Sequence, residues 1–177
     1  MATEVTIERM PDPATTGVLR LDESGYPLGP ATTLSELDAA RPFGPGSRRR
    51  YGDETYVTLS SQPLNGQVFK ITLVFDPDRL AAIDLFLPMA GEGASWADWS
   101  LDGERARRAA AEAWAERVFG QVFAIKPYVD PETGRQIMPF DPDREHPKHL
   151  RFGWGEVISY YDSKGGMSGM RVRYITP

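Results

Sequence analysis

The clearest pattern in the chain is a strict alternation of apolar and polar residues close to its C-terminus. The apolar positions are Met170, Val172 and Tyr174, and the positions between them are Arg171 and Arg173. A period of two is typical of a β-strand with one buried face. The segment 152–161, rich in β-branched and aromatic residues, precedes it, and the glycines of the 162–166 turn permit a tight reversal. The pattern therefore predicts a C-terminal β-hairpin.

Three more apolar segments follow one another in the middle of the chain, at 56–59, 68–75 and 80–87. In the central segment the apolar residues again alternate with polar ones. Asn65-Gly66 is a strong hairpin signal between the first two segments, and Asp76-Pro77-Asp78 favours a turn before the third. We interpret the region as an antiparallel meander centred on 69–75.

One long helix is predicted, beginning at the N-cap Ser100 and ending near Phe119, before Gly120. The i, i+3, i+4 spacing assigns its contact face to Ala106, Ala109, Ala110, Ala113, Trp114, Arg117 and Val118. The same interpretation leaves the solvated side to Arg105, Arg107, Arg108, Glu112 and Glu116. A shorter helix is predicted from the capping box Thr33–Glu36 to Ala40.

These elements predict an α+β fold, because strands cluster on both sides of one helix instead of alternating with helices. We expect a single antiparallel sheet, made of the meander and the C-terminal hairpin, packed against the long helix, with the short helix near the N-terminus. Hairpins are also expected at 17–28, with Gly25 in the turn, and around 130–134. Residues 1–16 are expected to form a flexible arm, and 17–177 a single domain.

The composition narrows the choice of function. The chain has no cysteine, which excludes disulfides, cysteine-based zinc sites and cysteine nucleophiles. A formal net charge of −5 argues against a general nucleic-acid-binding protein. No segment approaches the length of a membrane-spanning helix, and no signal peptide is recognised at the N-terminus. We therefore expect a cytoplasmic protein that binds neither membrane nor nucleic acid.

Catalytic motifs are missing from the sequence. Gly91-Glu-Gly93 lacks the last glycine of a dinucleotide-binding loop, and Gly166-Met-Ser168-Gly-Met170 lacks the final glycine of a nucleophile elbow. His146 and His149, separated by Pro147, do not have the spacing of a zinc site and are expected in a solvated loop. We predict no cofactor and no metal. The alternative left open is a small-ligand-binding protein or a hydrolase that uses loop carboxylates or this histidine pair.

Three sets of residues are candidates for contact with a protein partner. Arg48, Arg49 and Arg50 are expected in a loop that spans 41–52 and could contact an acidic surface. Trp96 and Trp99 bracket the start of the long helix, where tryptophan could be either core or binding hot spot. Asp162 and Lys164 lie in the hairpin turn. An exposed edge strand could also make a homodimer.

The C-terminal segment also carries a resemblance. The pattern Phe152-x-Trp-Gly-x-Val157-x-Ser-x-Tyr161-Asp-x-Lys-Gly-Gly166-x-Ser168 resembles the tail of small bacterial α+β proteins, and Trp99-Ser100 with the helix after it resembles the same group. That group offers no established activity, although some proteins of this size act as immunity or inhibitor proteins against toxins. The hypothesis from sequence is therefore a non-enzymatic protein-binding module, with an immunity or inhibitor role as one form of it.

Overall fold

A computed structural model describes residues 12–42, 46–89, 98–125, 128–129, 134, 136–137 and 147–175. Three helices and thirteen strands lie within these ranges. The helices are α1 (Pro13–Thr16), α2 (Leu34–Ala40) and α3 (Leu101–Phe119). The strands are β1 (Leu19–Arg20), β2 (Pro27–Leu28), β3 (Ser47–Tyr51), β4 (Glu54–Thr58), β5 (Gln62–Leu64), β6 (Gln67–Asp76), β7 (Arg79–Phe86), β8 (Ala124–Ile125), β9 (Tyr128–Val129), β10 (Gln136–Ile137), β11 (Lys148–Phe152), β12 (Gly155–Asp162) and β13 (Met167–Tyr174).

Nine of these strands form one antiparallel sheet in the order β3-β4-β6-β7-β13-β12-β11-β8, with β5 added beside β6. The register places six apolar residues in one continuous row across the sheet. They are Val57, Leu73, Ile83, Val172, Val157 and Leu150. All six are buried in the main core, to which α3 contributes Trp114 and Phe119. The α+β class, the antiparallel sheet and the long helix predicted from sequence are confirmed for the described residues.

Local signals account for several boundaries. Thr33 and Glu36 form both hydrogen bonds of the predicted capping box at the start of α2. Ser100 caps α3 through a bond from the Gly103 amide, and Gly120 ends the helix in the left-handed conformation. The hairpins around Gly25 and Gly134 are present as β1–β2 and β9–β10. Among the described helices, none is both long and apolar enough to cross a bilayer.

The loop expected over 41–52 is wrong in its second half, because Ser47–Tyr51 forms the edge strand β3. Every residue of β3 is exposed, so the segment needs no apolar alternation and gives no strand signal in the sequence. Its pairing with β4 follows from the two-residue turn Gly52-Asp53, in which glycine supplies the positive φ. A second difference is that Asn65-Gly66 joins β5 to β6, whereas the pattern predicted a turn from β4 to β6.

The contact face predicted for α3 is wrong for its four alanines and Arg117, whereas Trp114 and Val118 do pack against the core as predicted. Its four alanines, Ala106, Ala109, Ala110 and Ala113, are exposed together with Arg117. The buried residues are Glu104, Arg107, Arg108, Ala111, Trp114, Ala115 and Phe119. Both faces include Trp114, but the observed one is centred on positions 104, 108, 111 and 115, which turns it by roughly 130° from the predicted one. Apolar spacing alone predicted the wrong face, because it assigns arginine and glutamate to solvent. Here Glu104, Arg107 and Arg108 are buried, and each is neutralised by an ion pair.

Part of the predicted N-terminal arm is helical. Asp12 caps α1, and the indole Nε1 of Trp154 donates to the carbonyl oxygen of Ala14 at 3.0 Å. Gly17 then lies directly against the Trp154 ring, where a β-carbon would be 2.5 Å from the nearest ring atom. These contacts tie residues 12–17 to the turn between β11 and β12. Residues 1–11 of the predicted arm lie outside the described residues.

Candidate functional site

A set of charged and hydroxyl side chains lies between α3 and the sheet, and we call it the ionic cluster. Its members are Glu104, Arg107, Arg108, Glu112, Lys148, Ser159 and Ser168. In one half, Arg107 and Glu104 pair at 3.2 Å, one helical turn apart. The Ser168 amide donates to the Glu104 carboxylate at 2.7 Å, and Arg107 donates to the Leu87 carbonyl oxygen. Both charges are therefore satisfied although they are buried.

The other half of the ionic cluster is centred on Glu112. Its Oε1 accepts from Arg108 Nε at 2.9 Å and from the Ser159 hydroxyl at 2.6 Å, and its Oε2 accepts from Lys148 Nζ at 2.6 Å. Burial alone would raise the pKa of Glu112, but the hydrogen bonds from Lys148 and Ser159 and the charges of Lys148 and Arg108 outweigh it and lower that pKa. Glu112 is therefore a stable carboxylate at neutral pH.

The ionic cluster has the residue types of a hydrolytic site but not the access. Ser159 is 1% exposed, and its hydroxyl already donates to Glu112. The gap lined by Arg107, Arg108 and Ser168 has no volume for even a water molecule. A substrate could not reach the serine without separating α3 from the sheet. The arrangement therefore supports a structural role, in which it sets the position of α3 on β12 and β13.

The sheet face opposite to the core carries a second polar arrangement, which we call the polar face. At its centre Arg171 donates two hydrogen bonds to the Asp84 carboxylate, at 2.6 Å and 2.7 Å. Burial and then the charge of Asp84 raise the pKa of Tyr160. The pKa of Tyr56 is raised mainly by the hydrogen bond that its hydroxyl donates to Glu54. Hydrogen-bonded arginine and tyrosine side chains therefore make up the centre of this face.

Beside this centre, β11, β12 and β13 place Arg151, Glu156 and Arg173 opposite one another. His149 Nδ1 lies 2.9 Å from Glu156 Oε2, and Arg173 pairs with the other carboxylate oxygen. A depression of about 320 Å³ adjoins these residues. Its lining consists of Arg151, Phe152, Gly155, Glu156, Arg173 and Ile175.

The three arginines predicted to contact a partner lie on β3. Arg48 pairs with Asp38 of α2, and Arg50 Nε donates to the Gly52 carbonyl oxygen at 3.1 Å. Arg49 lies opposite Tyr56 in the register and so shares the polar face. Four strand spacings separate β3 from β13, about 19 Å. The structure therefore does not bring the arginines together with the hairpin turn.

Trp99, Asp162 and Lys164 do come together at the tip of the C-terminal hairpin. Trp99 Nε1 donates to the Gly166 carbonyl oxygen at 2.6 Å, and Asp162 Oδ1 accepts from the Lys164 amide at 2.9 Å. The Trp99 bond holds the turn against the start of α3, and the Asp162 bond stabilises the turn itself. Trp96 and His146, the other members of the predicted tryptophan and histidine pairs, lie outside the described residues. His149 lies in β11, which corrects its predicted place in a loop.

The buried members of the ionic cluster were missed by sequence reasoning. One signal was present: Ser159 occupies a position in β12 where the alternation of Gly155 and Val157 calls for an apolar residue. The i, i+4 pair Arg108–Glu112 was a second signal, but such pairs are usually found on solvated helix faces. Only the packing of α3 on the sheet shows that this pair is buried and not on a solvated face of the helix.

No protein-family model, curated protein or solved structure matches this chain. Within the described ranges, no group of three or more histidine, aspartate or glutamate side chains is arranged to hold a metal ion.

We expect the protein to lose stability on acidification. Glu112 and Glu156 both have a lowered pKa in the folded state, so they stabilise the fold fully above the unfolded pKa, about 4.3, and lose that contribution as pH falls below it. Urea unfolding at pH values from 7 to about 3 measures the effect. Glu112→Gln should flatten the decline. An unchanged pH profile in that variant would show that Glu112 does not contribute to it.

Proposed function

We propose that this protein is a non-enzymatic module that binds a protein partner, and that the β3 edge is its recognition element. The β3 edge consists of Arg48, Arg49, Arg50 and Tyr51. The observation that carries the proposal is a fully exposed edge strand with three consecutive arginines on an otherwise acidic chain. Arginine and tyrosine are enriched at protein-binding hot spots. Tyr51 is 61% exposed and packs edge-on against Tyr56.

The backbone of β3 favours an extended polypeptide as the ligand. Its pairing closes at Tyr51 and Glu54 around a two-residue turn, so hydrogen-bonded and non-hydrogen-bonded pairs alternate from that point. The amide and carbonyl groups of Arg48 and Arg50 then point away from β4, towards an incoming strand. A partner can add to the sheet there, as extended peptides do at exposed edges.

The side chains of β3 favour an acidic partner. Arg49 has no ion-pair partner in the part of the chain that the structure describes, and Arg50 bonds only a carbonyl oxygen. Screening limits charge interactions to about 8 Å at physiological salt, so these local charges matter more to a docked strand than the net charge of −5 does. Glutamate or aspartate opposite Arg49 and Arg50 would form favourable cross-strand pairs.

A second copy of the chain suits this edge poorly. An antiparallel pair of β3 strands centred on Arg49 would place Arg49 opposite Arg49 and Arg48 opposite Arg50. Like charges directly opposite each other destabilise a strand pair, and charged edges protect sheets from such pairing. The homodimer considered from the sequence is therefore not the form of binding that we propose.

We expect the full chain to bind a short synthetic peptide in which two consecutive glutamates lie between threonines, because neighbouring strand residues project to opposite faces, as Arg49 and Arg50 do. Replacing both Arg49 and Arg50 by alanine should weaken that binding by about 2- to 30-fold, from the usual worth of two cross-strand charge pairs. Arg117→Ala on the exposed side of α3 is the matched control and should bind as wild type does. Fluorescence anisotropy of the labelled peptide measures all three.

Backbone pairing has its own control. The same peptide with alternate backbone nitrogens methylated keeps its charge but loses its strand-forming donors. Equal binding of both peptides would contradict strand addition. It would mean that β3 attracts acidic peptides through its charge alone. An inhibitor or immunity role is tested separately, by capturing partner proteins on the wild-type chain and on the Arg49 and Arg50 double variant. The role requires that a protein retained by the wild type is lost from the double variant.

A second candidate function has one observation in its favour. The His149–Glu156 contact borders the depression, as a small-ligand-binding protein would require. For a hydrolase, the hydroxyls of Ser159 and Ser168 are poorly placed, since both serines are buried and already bonded to the α3 carboxylate or carbonyl oxygens.

A further inference from the structure

The lining of the depression contains two arginines and one glutamate, and these residues are far from the β3 edge. Arg151, Glu156 and Arg173 lie directly opposite one another on three neighbouring strands of the polar face. Side chains in such positions are close enough to interact across the strands. We call these three residues the guanidinium clamp.

Glu156 anchors the clamp. Its side chain is 8% exposed; one oxygen pairs with Arg173, and the other contacts His149 Nδ1 at 2.9 Å and Arg151 Nε at 3.7 Å. These positively charged and hydrogen-bonding partners favour the charged form of the carboxylate. Separating the carboxylate from them would leave an unpaired charge in the sheet, so the contacts are kept. Glu156 therefore holds both guanidinium groups at the rim of the depression.

The arginines retain donors for a ligand. Their side chains are 66% and 61% exposed for Arg151 and Arg173. Each guanidinium has five N–H donors, and the described contacts of these two residues all go to Glu156. Since the rigid fork of arginine matches a carboxylate or a phosphate, the clamp presents two anion-binding groups to one space.

The charge count selects between those anions. Two arginines and one glutamate give the clamp a net charge of +1, before any proton on His149. A carboxylate places its two oxygens on the two guanidinium groups, whereas a phosphate also brings further charged oxygens close to Glu156, whose carboxylate repels them. The depression holds about 320 Å³, near the lower limit for small-molecule sites, and the exposed side chain of Ile175 adds apolar lining.

We propose that the guanidinium clamp binds the carboxylate of a small monoanionic ligand whose apolar body occupies the depression. The carboxylate bridges Arg151 and Arg173, and the apolar body contacts Ile175. This inference does not rest on the β3 edge, which lies at the other end of the sheet.

The test uses the full chain and benzoate as the probe, followed by amide and arginine Nε chemical shifts in NMR titrations. We expect saturable shifts at residues 151–156 and 173–175, with a dissociation constant on the order of millimolar. Arg151→Gln and Arg173→Gln should each weaken benzoate binding by about tenfold, the usual effect of losing a charge-assisted hydrogen bond. The Arg49 and Arg50 double variant should bind benzoate as wild type does, which separates this site from the proposed recognition strand.

Two comparison anions sharpen the result. Acetate, which has the carboxylate without an apolar body, should bind more weakly than benzoate, and inorganic phosphate should bind more weakly still. Phosphate binding tighter than benzoate would overturn the charge argument. Shifts that do not saturate, or that persist unchanged in both glutamine variants, would overturn the site itself. Circular dichroism of the variants confirms that any lost binding does not come from unfolding.

Discussion

Glu112→Ala is expected to destabilise the protein by about 3 kcal/mol, because it leaves Arg108, Lys148 and Ser159 without their shared acceptor. Removing one partner of a buried ion pair is costly, since the remaining positive charge stays buried and loses the carboxylate that neutralises it. For a chain of this length the midpoint of thermal unfolding should fall by roughly 6 to 12 °C. Urea and thermal unfolding measure the change.

Two further variants make the result interpretable. Glu112→Gln keeps the shape and can still accept the Ser159 hydroxyl, so its cost should be smaller, about 1 to 2 kcal/mol. Asp102→Ala removes an exposed carboxylate from the same helix, 3.6 Å from Arg105, and should cost less than about 1 kcal/mol. If Glu112→Ala proves no more costly than Asp102→Ala, the ionic cluster does not secure α3 to the sheet.

Gly155→Ala is the second change with a large expected effect. Gly155 has φ 153°, and a β-carbon there would overlap the carbonyl oxygen of Arg173 on the neighbouring strand. That atom belongs to the backbone, so β12 and β13 would have to separate. Strain and overpacking together should cost about 2 to 5 kcal/mol, measured by the same unfolding experiments.

Gly153 is the matched control for Gly155, two residues earlier in the turn between β11 and β12. A β-carbon at Gly153 would have no neighbour within 4 Å, and its φ is not positive. Gly153→Ala should therefore change stability by less than about 1 kcal/mol. Similar costs for the two substitutions would mean that the close approach of β12 and β13 does not require glycine.

The glycines illustrate how far the sequence could be interpreted. Gly153, Gly155 and Gly169 stand out in the strand pattern, and a close approach to the backbone was among the explanations the pattern allowed. The structure separates them. Gly155 is pressed by the Arg173 carbonyl group, Gly169 leaves space for the Tyr160 ring, and Gly153 has open space around it. Those differences depend on which strand lies beside each glycine.

The edge strand shows a different limit. Alternation identifies a strand only when one of its faces is buried, and β3 has none. The sequence singled out Arg48, Arg49 and Arg50 as recognition candidates, but their arrangement on a sheet edge depended on β4 being available for pairing. The depression beside Glu156 likewise combines residues from three neighbouring strands, β11, β12 and β13, and from the segment after β13.

The sequence alone determined the local elements: the two capped helices, the C-terminal hairpin and the central strands, all of which follow from short-range periodicity and turn chemistry. The tertiary structure decided which side of α3 is buried, because an arginine or glutamate enters a core only when its partners arrive from other strands. The same reason governs the guanidinium clamp. Whether a charge is solvated, paired or held ready for a ligand depends on contacts between residues far apart in the chain.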